Sequence, residues 1–314
     1  MFAISWKNPG ASDRDVSLDD YRRQGLMAAI DAVADICGGR KMHAVGYCLG
    51  GTLLAIGAAA MARDGDHRLA SLTLLAAQTD FTEPGELGLF IDESQLIFLG
   101  DLMQRQGFLR GEQMAGAFQL MRSVDLIWSR IVREYLMGER SAMTDLMAWN
   151  ADTTRMPARM HSEYLQQLFL DNRLASGRYR VDGRPIALTD LRLPVFCVAT
   201  RTDHVAPWKS VYKLHLLTDT EVTFVLTTGG HNAGVVNPPL QSHYTYQFAV
   251  RAAEGPYTDP DEFLRTAHSE QGSWWPSWRV WLEQHGGELG APPPLGSTRY
   301  PALDDAPGRY VHIR

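Results

Sequence analysis

Cys48 lies in the segment Gly46-Tyr47-Cys48-Leu49-Gly50-Gly51, where small residues surround a side chain that can act as a nucleophile. An apolar stretch, 42–45, precedes this segment and an Ala- and Leu-rich stretch, 52–63, follows it, so we predict a strand, a sharp turn and a helix. Such a turn, a nucleophile elbow, holds its central residue in strained backbone geometry at a helix N-terminus, where negative charge is favoured. The chemistry would be attack by the Cys48 thiolate, with the backbone N–H of Leu49 donating to an oxyanion.

The same pattern has other interpretations. Free cysteine is among the most buried residue types, so Cys48 could serve packing alone. A glycine-rich turn from strand to helix can also bind phosphate. The choice between these interpretations depends on what the rest of the chain places near Cys48.

Two further polar residues follow predicted strands. Asp203 comes after the apolar stretch 194–199, and His231 comes after the stretch 221–227. Because the carboxyl ends of parallel strands meet at one edge of a sheet, we expect both side chains near Cys48. The chain order of nucleophile, acid and base is that of the α/β-hydrolase triad. In that arrangement His231 would take the thiol proton, and Asp203 would orient the imidazole.

Other histidines compete with His231 for the role of base. His204 is the nearest competitor, but it follows Asp203 on the same predicted loop, so we favour His231. His43 lies within a predicted strand and His67 lies on a charged turn. We interpret these two as structural.

The elements that must position the triad alternate between strand and helix. The stretch Phe2-Ala3-Ile4-Ser5-Trp6 predicts a strand. Ser17 and Asp20 form a capping-box pattern that predicts a helix ending at Gly38. After the elbow, the stretch 72–76 predicts another buried strand, and the alternation predicts a mostly parallel sheet covered by helices.

A long helical segment interrupts this alternation. Residues 80–189 are rich in Met, Leu and charged residues, with candidate helices near 92–109, 111–137 and 161–171. We therefore expect residues 1–79 and 190–314 to form an α/β core. Residues 80–189 would form a helical cap insertion over the carboxyl ends of the strands, where open α/β sheets bind ligands.

Composition excludes several classes of protein. The 314-residue chain is 45% hydrophobic, so it can bury a sizeable core, and its net charge of −6 argues against a nucleic-acid surface. Its three cysteines are too scattered for a disulfide framework or a metal site, so we expect no metal and no cofactor. The longest apolar run has about half of the ~20 residues that a membrane span needs. We expect a soluble, cytoplasmic protein.

The sequence resembles the poly(3-hydroxyalkanoate) synthases over nearly the whole chain. The matching segments are Ser5-Trp6-Lys7-Asn8-Pro9, the elbow 46–51, Asp80-Phe81 with 90–93, 149–154 with Met156-Pro157 and His161, 201–204, Gly230-His231, Asn237-Pro238-Pro239, 272–276 and 306–311. The resemblance implies an acyltransferase that polymerises (R)-3-hydroxyacyl-coenzyme A thioesters through an acyl-cysteine and releases coenzyme A. The family's catalytic cysteine, aspartate and histidine match Cys48, Asp203 and His231. The family forms dimers and granule-bound assemblies, so the resemblance also implies a homodimer or a protein at the surface of polyester granules.

Two of the matching segments have structural alternatives. Trp274, Trp278 and Trp281 have the spacing of an amphipathic helix that packs on the core, and we favour that role. In the segment from Trp149 to His161, Asp152 could cap a turn and His161 could be a satisfied polar group, or the segment could contact substrate. We favour the structural roles.

The chain departs from the family at its start. Family members carry a long N-terminal region before the stretch that matches Phe2–Trp6, and this region supplies the first core strands and the second oxyanion donor. We therefore expect the first core strands to be missing here. Three interpretations follow: the catalytic C-terminal region of a synthase with reduced or no activity, a Cys-His-Asp hydrolase of the dienelactone hydrolase type, or a non-catalytic remnant that associates with a full-length synthase or the granule.

Overall fold

A six-stranded sheet forms the centre of the computed structural model, which describes residues 1–121, 128–129, 131–139, 142–240 and 243–313. The strands are β1 Met42–Tyr47, β2 Leu69–Leu75, β3 Val195–Thr200, β4 Val222–Thr227, β5 Thr245–Arg251 and β6 His268–Gln271. They lie side by side in chain order; β1 to β4 run parallel, and β5 and β6 are antiparallel additions. The prediction of a mostly parallel sheet is confirmed.

Strands β3 and β4 are buried along their whole lengths. Their sequences, rich in Val, Phe and Thr, suit a strand that is covered on both faces. Strand β1 differs because, among the strands of the described residues, it pairs with β2 alone and lies at the edge of the sheet. Its Val45 side chain is 49% exposed.

Helix α1 precedes β1 and consists of the consecutive helical segments Leu18–Asp20, Tyr21–Met27 and Ala28–Ile36. The capping box begins it as predicted: Ser17 Oγ accepts from the N–H of Asp20 at 3.1 Å, and the Asp20 carboxylate accepts from the N–H of Ser17 at 2.9 Å. Gly38 and Gly39 follow its end with φ of 63° and 77°.

The predicted first strand is wrong. Residues Phe2–Trp6 form no strand, and their side chains are exposed. The Trp6 ring instead lies 5.3 Å from the ring of Tyr21 on α1. A Cβ at Gly25 would lie 2.3 Å from the Trp6 ring, so this glycine allows the indole to lie against the helix. Trp6, one of the apolar residues that suggested a strand, thus contacts a helix surface.

Helix α2, Leu49–Arg63, follows β1, and most of its residues are buried beside the sheet. After β2, the chain forms helices α3 Glu93–Gln106, α4 Gly111–Met121, α5 Asp145–Ala151 and α6, which consists of Ala158–Tyr164 and Leu165–Leu170. A π-helical segment, Ile131–Leu136, lies between α4 and α5. The predicted helix 111–137 lies partly outside the described residues. The remaining helices are α7 Trp208–Tyr212, α8 Leu214–Leu217, α9 Pro260–Thr266 and α10 Trp275–His285.

The buried apolar residues form two clusters. The larger cluster joins α2 to the sheet and to the later part of the 80–189 segment, including Leu168 and Leu174. The smaller one contains Phe196 of β3 together with Trp274 and Trp281, which are 1% and 5% exposed. The predicted packing role of the tryptophan stripe is therefore confirmed. No helix in the described part of the chain is both long enough and apolar enough to cross a membrane.

Candidate active site

Cys48 occupies a strained turn between β1 and α2. Its φ and ψ are 52° and −127°, a conformation that non-glycine residues adopt only when the surroundings enforce it. The turn is fastened to the sheet, because the N–H of Cys48 donates to the carbonyl of Leu75 at 2.9 Å. The side chain therefore projects from the carboxyl end of β1 at the start of α2.

Two of the three elbow glycines are required by close packing. A Cβ at Gly46 would lie 2.5 Å from the Cα of Gly51, and a Cβ at Gly51 would lie 2.4 Å from that of Ala77. A Cβ at Gly50 would have no heavy atom within 4 Å beyond its chain neighbours and the nearby backbone of its own helix. The strand and the helix can meet at this angle only because Gly46 and Gly51 lack side chains.

The first turn of α2 supplies a backbone donor beside Cys48. The N–H groups of Gly51 and Thr52 donate to the carbonyl of Cys48, at 2.9 and 3.2 Å. The N–H of Leu49 belongs to the first turn, where a helix provides no intrahelical acceptor. The oxyanion role that the sequence analysis gave to this N–H stays a prediction.

Asp203 and His231 meet at the carboxyl ends of β3 and β4. The Nδ1 atom of His231 lies 2.7 Å from Oδ2 of Asp203. The Asp203 side chain is fully buried, whereas that of His231 is 17% exposed. His204 is turned elsewhere, with its Nδ1 3.5 Å from the Glu86 carboxylate. The structure therefore pairs Asp203 with His231 and not with His204.

Both carboxylate oxygens of Asp203 are engaged. Oδ1 accepts from the N–H groups of Val205 and Ala206, each at 2.8 Å. Oδ2 accepts from the Thr200 hydroxyl at 3.2 Å as well as from His231. These bonds fix the orientation of the carboxylate.

The electrostatic environment favours a charged imidazole at His231. Burial lowers the pKa of His231, but the hydrogen bond and charge of Asp203 and the nearby Cys48 side chain outweigh burial and raise it to about 10. Asp203 and the Cys48 side chain thus both act on the His231 ring. The roles of nucleophile, base and acid for Cys48, His231 and Asp203 stay predictions.

Tyr47 is part of the site although it occupies the variable position of the elbow pattern. Its ring lies 5.2 Å from the ring of His231, and its hydroxyl donates to Asn232 Oδ1. Burial, followed by the charges of Cys48 and Asp203, raises the pKa of Tyr47 far above its usual value. Tyr47 is therefore a neutral donor that holds the loop carrying His231. Apart from its adjacency to Cys48, no sequence pattern indicated this role of Tyr47.

The segment 149–150 reaches the same loop. Asn232 Nδ2 donates to Asn150 Oδ1 at 2.8 Å, and the Trp149 ring lies 6.1 Å from that of Tyr47. Trp149 is half exposed. Trp149 and Asn150, from the region between β2 and β3, therefore contact residues beside the site.

Two tryptophans anchor the chain just beyond His231. The indole N–H of Trp274 donates to the carbonyl of Gly234, and that of Trp275 donates to the carbonyl of Val235, both at 3.0 Å. Trp274, which belongs to the tryptophan stripe, and its neighbour Trp275 thus fix the backbone of the His231 loop. Sequence spacing predicted the packing but not these two bonds.

A family model described as the alpha/beta hydrolase fold matches residues 1–238. This chain belongs to that family. Over its whole length it is 40% identical to a poly(3-hydroxyalkanoate) polymerase subunit PhaC of Rhizobium meliloti and 40% identical to a poly(3-hydroxyalkanoate) polymerase of Methylorubrum extorquens, and it covers 51% of each. It is 36% identical to the corresponding subunit of Cupriavidus necator and covers 54% of it.

These relatives confirm the resemblance to the poly(3-hydroxyalkanoate) synthases within the alpha/beta hydrolase fold family. The chain spans about half the length of the curated relatives it matches. Within the described residues, no group of three or more His, Cys, Asp or Glu side chains is arranged to hold a metal ion.

In the described part of the chain, neither His161 nor Asp152 forms a hydrogen bond with Cys48, Asp203 or His231. His161 is 7% exposed, its Nδ1 has no partner among the described residues, and burial lowers its pKa to about 4. Asp152 is exposed at the C-terminal end of α5. The structure gives neither residue a contact that would assign it a chemical role.

Proposed function

We propose that this chain carries the catalytic machinery of a poly(3-hydroxyalkanoate) synthase, an acyltransferase that polymerises (R)-3-hydroxyacyl-coenzyme A thioesters. The observation that carries the proposal is the contact of His231 with Asp203 on one side and its proximity to the elbow Cys48 on the other. The identity of about 40% with named polymerases over the full chain supports the choice of reaction.

In the first half-reaction, Cys48 takes the acyl group from coenzyme A. The thiol proton passes to Nε2 of His231, and a cation there stabilises the thiolate, which is the nucleophilic form. The Cys48 sulfur forms a bond to the thioester carbonyl carbon, and the N–H of Leu49 donates to the oxyanion. The bond to the coenzyme A sulfur then breaks, and His231 returns the proton to that leaving thiolate.

In the second half-reaction, a hydroxyl group attacks the acyl-Cys48. The hydroxyl oxygen forms an ester with the acyl carbon, the bond to the Cys48 sulfur breaks, and the hydroxyl proton passes to the base. We propose His231 as this base too. Asp203 is unsuited to it because its side chain is fully buried and both of its oxygens already accept hydrogen bonds.

The use of cysteine has a thermodynamic reason. An acyl group on serine would be an oxyester, no more activated than the polyester bond to be formed. An acyl group on Cys48 is still a thioester, so its transfer to an alcohol can proceed forward. A sulfur nucleophile therefore suits polymerisation.

The deciding experiment uses 3-hydroxybutyryl-coenzyme A. We expect release of free coenzyme A, an acyl adduct on Cys48 in mass spectra and oligoester products. Cys48→Ala should abolish all three, and turnover retained in that variant would refute Cys48 as the nucleophile. Free hydroxy acid as the sole product would identify a hydrolase instead.

We also propose that residues 80–189 act as a cap and that their exposed apolar side chains meet the polyester. Leu89, Ile97, Phe98, Tyr135 and Met143 are 63% to 83% exposed. Ile97 and Phe98 are neighbours on α3, and contiguous exposed apolar surface commonly marks an interaction site. The product is an apolar polymer, so the growing polyester or its granule in the cytoplasm is the proposed occupant.

Binding to suspended poly(3-hydroxybutyrate) particles tests this surface. The double change Ile97→Ser and Phe98→Ser should lower the bound fraction. The matched control is Val280→Ser on α10, which removes a side chain that is 45% exposed outside the segment. Equal binding by both variants would contradict the proposal.

A further inference from the structure

A cavity of about 440 Å³ lies between β5 and the short helices α7, α8 and α9. This volume is in the range of small-molecule sites. Much of its wall is apolar and includes Phe248, Phe263 and Tyr212, while Arg251 and His215 supply polar atoms. The cavity therefore combines an apolar wall with a small number of polar groups, as ligand sites do.

The cavity is at the opposite end of the sheet from Cys48. Arg251 pairs with Val222, the first residue of β4, whereas His231 follows Thr227 at the end of that strand. A six-residue strand rises about 17 Å from first to last residue. The cavity is therefore separate from the proposed acyl-transfer site.

Arg251 is a cation whose hydrogen-bond partners are all neutral. Its Nη2 donates to the carbonyls of Thr218 and Thr220, at 2.7 and 3.2 Å, and its Nε donates to Nδ1 of His215 at 3.2 Å. No carboxylate forms an ion pair with it among the residues that the structure describes. Burial lowers the pKa of Arg251, and the charge of Asp219 opposes this only in part. A partly buried cation without a paired anion favours a negatively charged ligand.

His215 adds to the cavity wall a buried ring nitrogen that lacks a hydrogen-bond partner. It is 7% exposed, and its Nδ1 accepts from Arg251, so the proton of the neutral ring is on Nε2. That Nε2 is buried and has no acceptor in the described part of the chain. Burial, and then the charge of Arg251, lowers the pKa of His215 to about 4, which keeps the ring neutral near pH 7. Arg251 and His215 thus bring N–H donors to one part of an otherwise largely apolar wall.

We propose that this cavity binds a small organic monocarboxylate, with its carboxylate at Arg251 and its apolar body against Phe248 and Phe263. A carboxylate supplies the anion that Arg251 lacks, and a planar guanidinium recognises it through directed N–H bonds. An apolar body is required because most of the wall offers no polar partner. An anion without an apolar body would leave the apolar wall exposed to water.

Isothermal titration calorimetry with octanoate, octan-1-ol and acetate tests both parts of the proposal. Octanoate should bind at least about tenfold more tightly than octan-1-ol, which lacks the charge, and than acetate, which lacks the apolar body. Cys48→Ala should bind octanoate as the unchanged protein does, because the two sites are separate. Equal affinities for the three probes would overturn the proposal.

Two variants locate the binding. Arg251→Gln should weaken octanoate binding at least about tenfold, while Arg265→Gln, which removes an exposed positive charge from α9, should leave it unchanged. Ala252→Phe adds bulk at an exposed residue that lines the cavity and should also abolish binding. If Arg251→Gln does not fold, Ala252→Phe decides, and octanoate affinity retained in that variant would overturn the assignment.

Discussion

At the scale of single residues, the roles of Asp203 and His231 follow from which atoms are already bonded. Asp203 holds Nδ1 of His231 and cannot reach a substrate. His231 keeps its other ring nitrogen toward the Cys48 side of the site. The two residues therefore differ in function although both belong to the proposed triad, and each can be tested separately.

Asp203→Asn should slow acylation of Cys48 by roughly 10²–10⁴, because an amide at this position can donate to Nδ1 and select the wrong tautomer of His231. The measurement is the rate of coenzyme A release from 3-hydroxybutyryl-coenzyme A. Asp261→Asn is the matched control, since Asp261 is an exposed carboxylate paired with Lys209. A rate that falls equally in both variants would argue against an orienting role for Asp203.

The raised pKa of His231 also predicts a pH dependence of stability. Its pKa in the folded protein is about 10, against an ordinary value of 6.5, so the folded state holds the proton more tightly. This contribution to stability is fully present below about pH 6.5 and is lost as the pH rises toward 10. Urea titrations at about pH 6 and about pH 9.5 measure the unfolding free energy near the two limits. Between these pH values it should fall less in His231→Gln than in the unchanged protein. An equal loss in both proteins would contradict the raised pKa.

At the scale of elements, the elbow depends on how closely β1 approaches α2. Gly46→Ala and Gly51→Ala should each destabilise the protein by about 1–3 kcal/mol, because their Cβ atoms would overlap backbone or side-chain atoms that cannot move freely. Gly50→Ala faces open space in a helix and should be neutral or stabilising by up to about 1 kcal/mol. Urea-induced unfolding of the three variants checks the order. A Gly50 variant as unstable as the other two would refute the packing argument.

Trp274, the N-cap residue of α10, and Trp275, its first residue, hold the His231 loop. Trp274→Phe leaves the carbonyl of Gly234 without its donor and should cost about 1–3 kcal/mol of unfolding free energy. Trp278→Phe is a matched control because it also removes an indole bond, in this case to Thr73. Only Trp274→Phe should shift the NMR signals of the His231 ring. Identical His231 spectra for both variants would mean that α10 supports the core alone.

At the scale of the whole molecule, sequence patterns predicted the residues that lie at strand ends. Cys48, Asp203 and His231 each follow an apolar stretch, and parallel strands bring such positions together whatever the intervening chain does. The same reasoning failed for Phe2–Trp6, because a short apolar stretch can pack on a helix as well as join a sheet.

Other parts of the site could not be predicted from local patterns. The bond from Tyr47 to Asn232 and the bond from Trp274 to Gly234 join residues that are far apart in sequence. Hydrophobic periodicity does not predict such contacts, because they depend on how the loops and α10 pack against the sheet. The cavity at Arg251 was missed for the same reason: its walls come from β5 and three separate helices.

The position of β1 at the edge of the sheet has a consequence for local opening of the protein. Amide protons of β3 and β4 are held in a buried interior, so their exchange with solvent requires extensive unfolding. β1 is bonded on one side only, and its outward N–H groups face no neighbouring strand in the described part of the chain. In hydrogen–deuterium exchange, β1 should therefore take up deuterium sooner than β3 and β4. The nucleophile would then be attached to the sheet at an edge strand that opens more easily than β3 and β4, and any polypeptide that paired with β1 would slow that exchange.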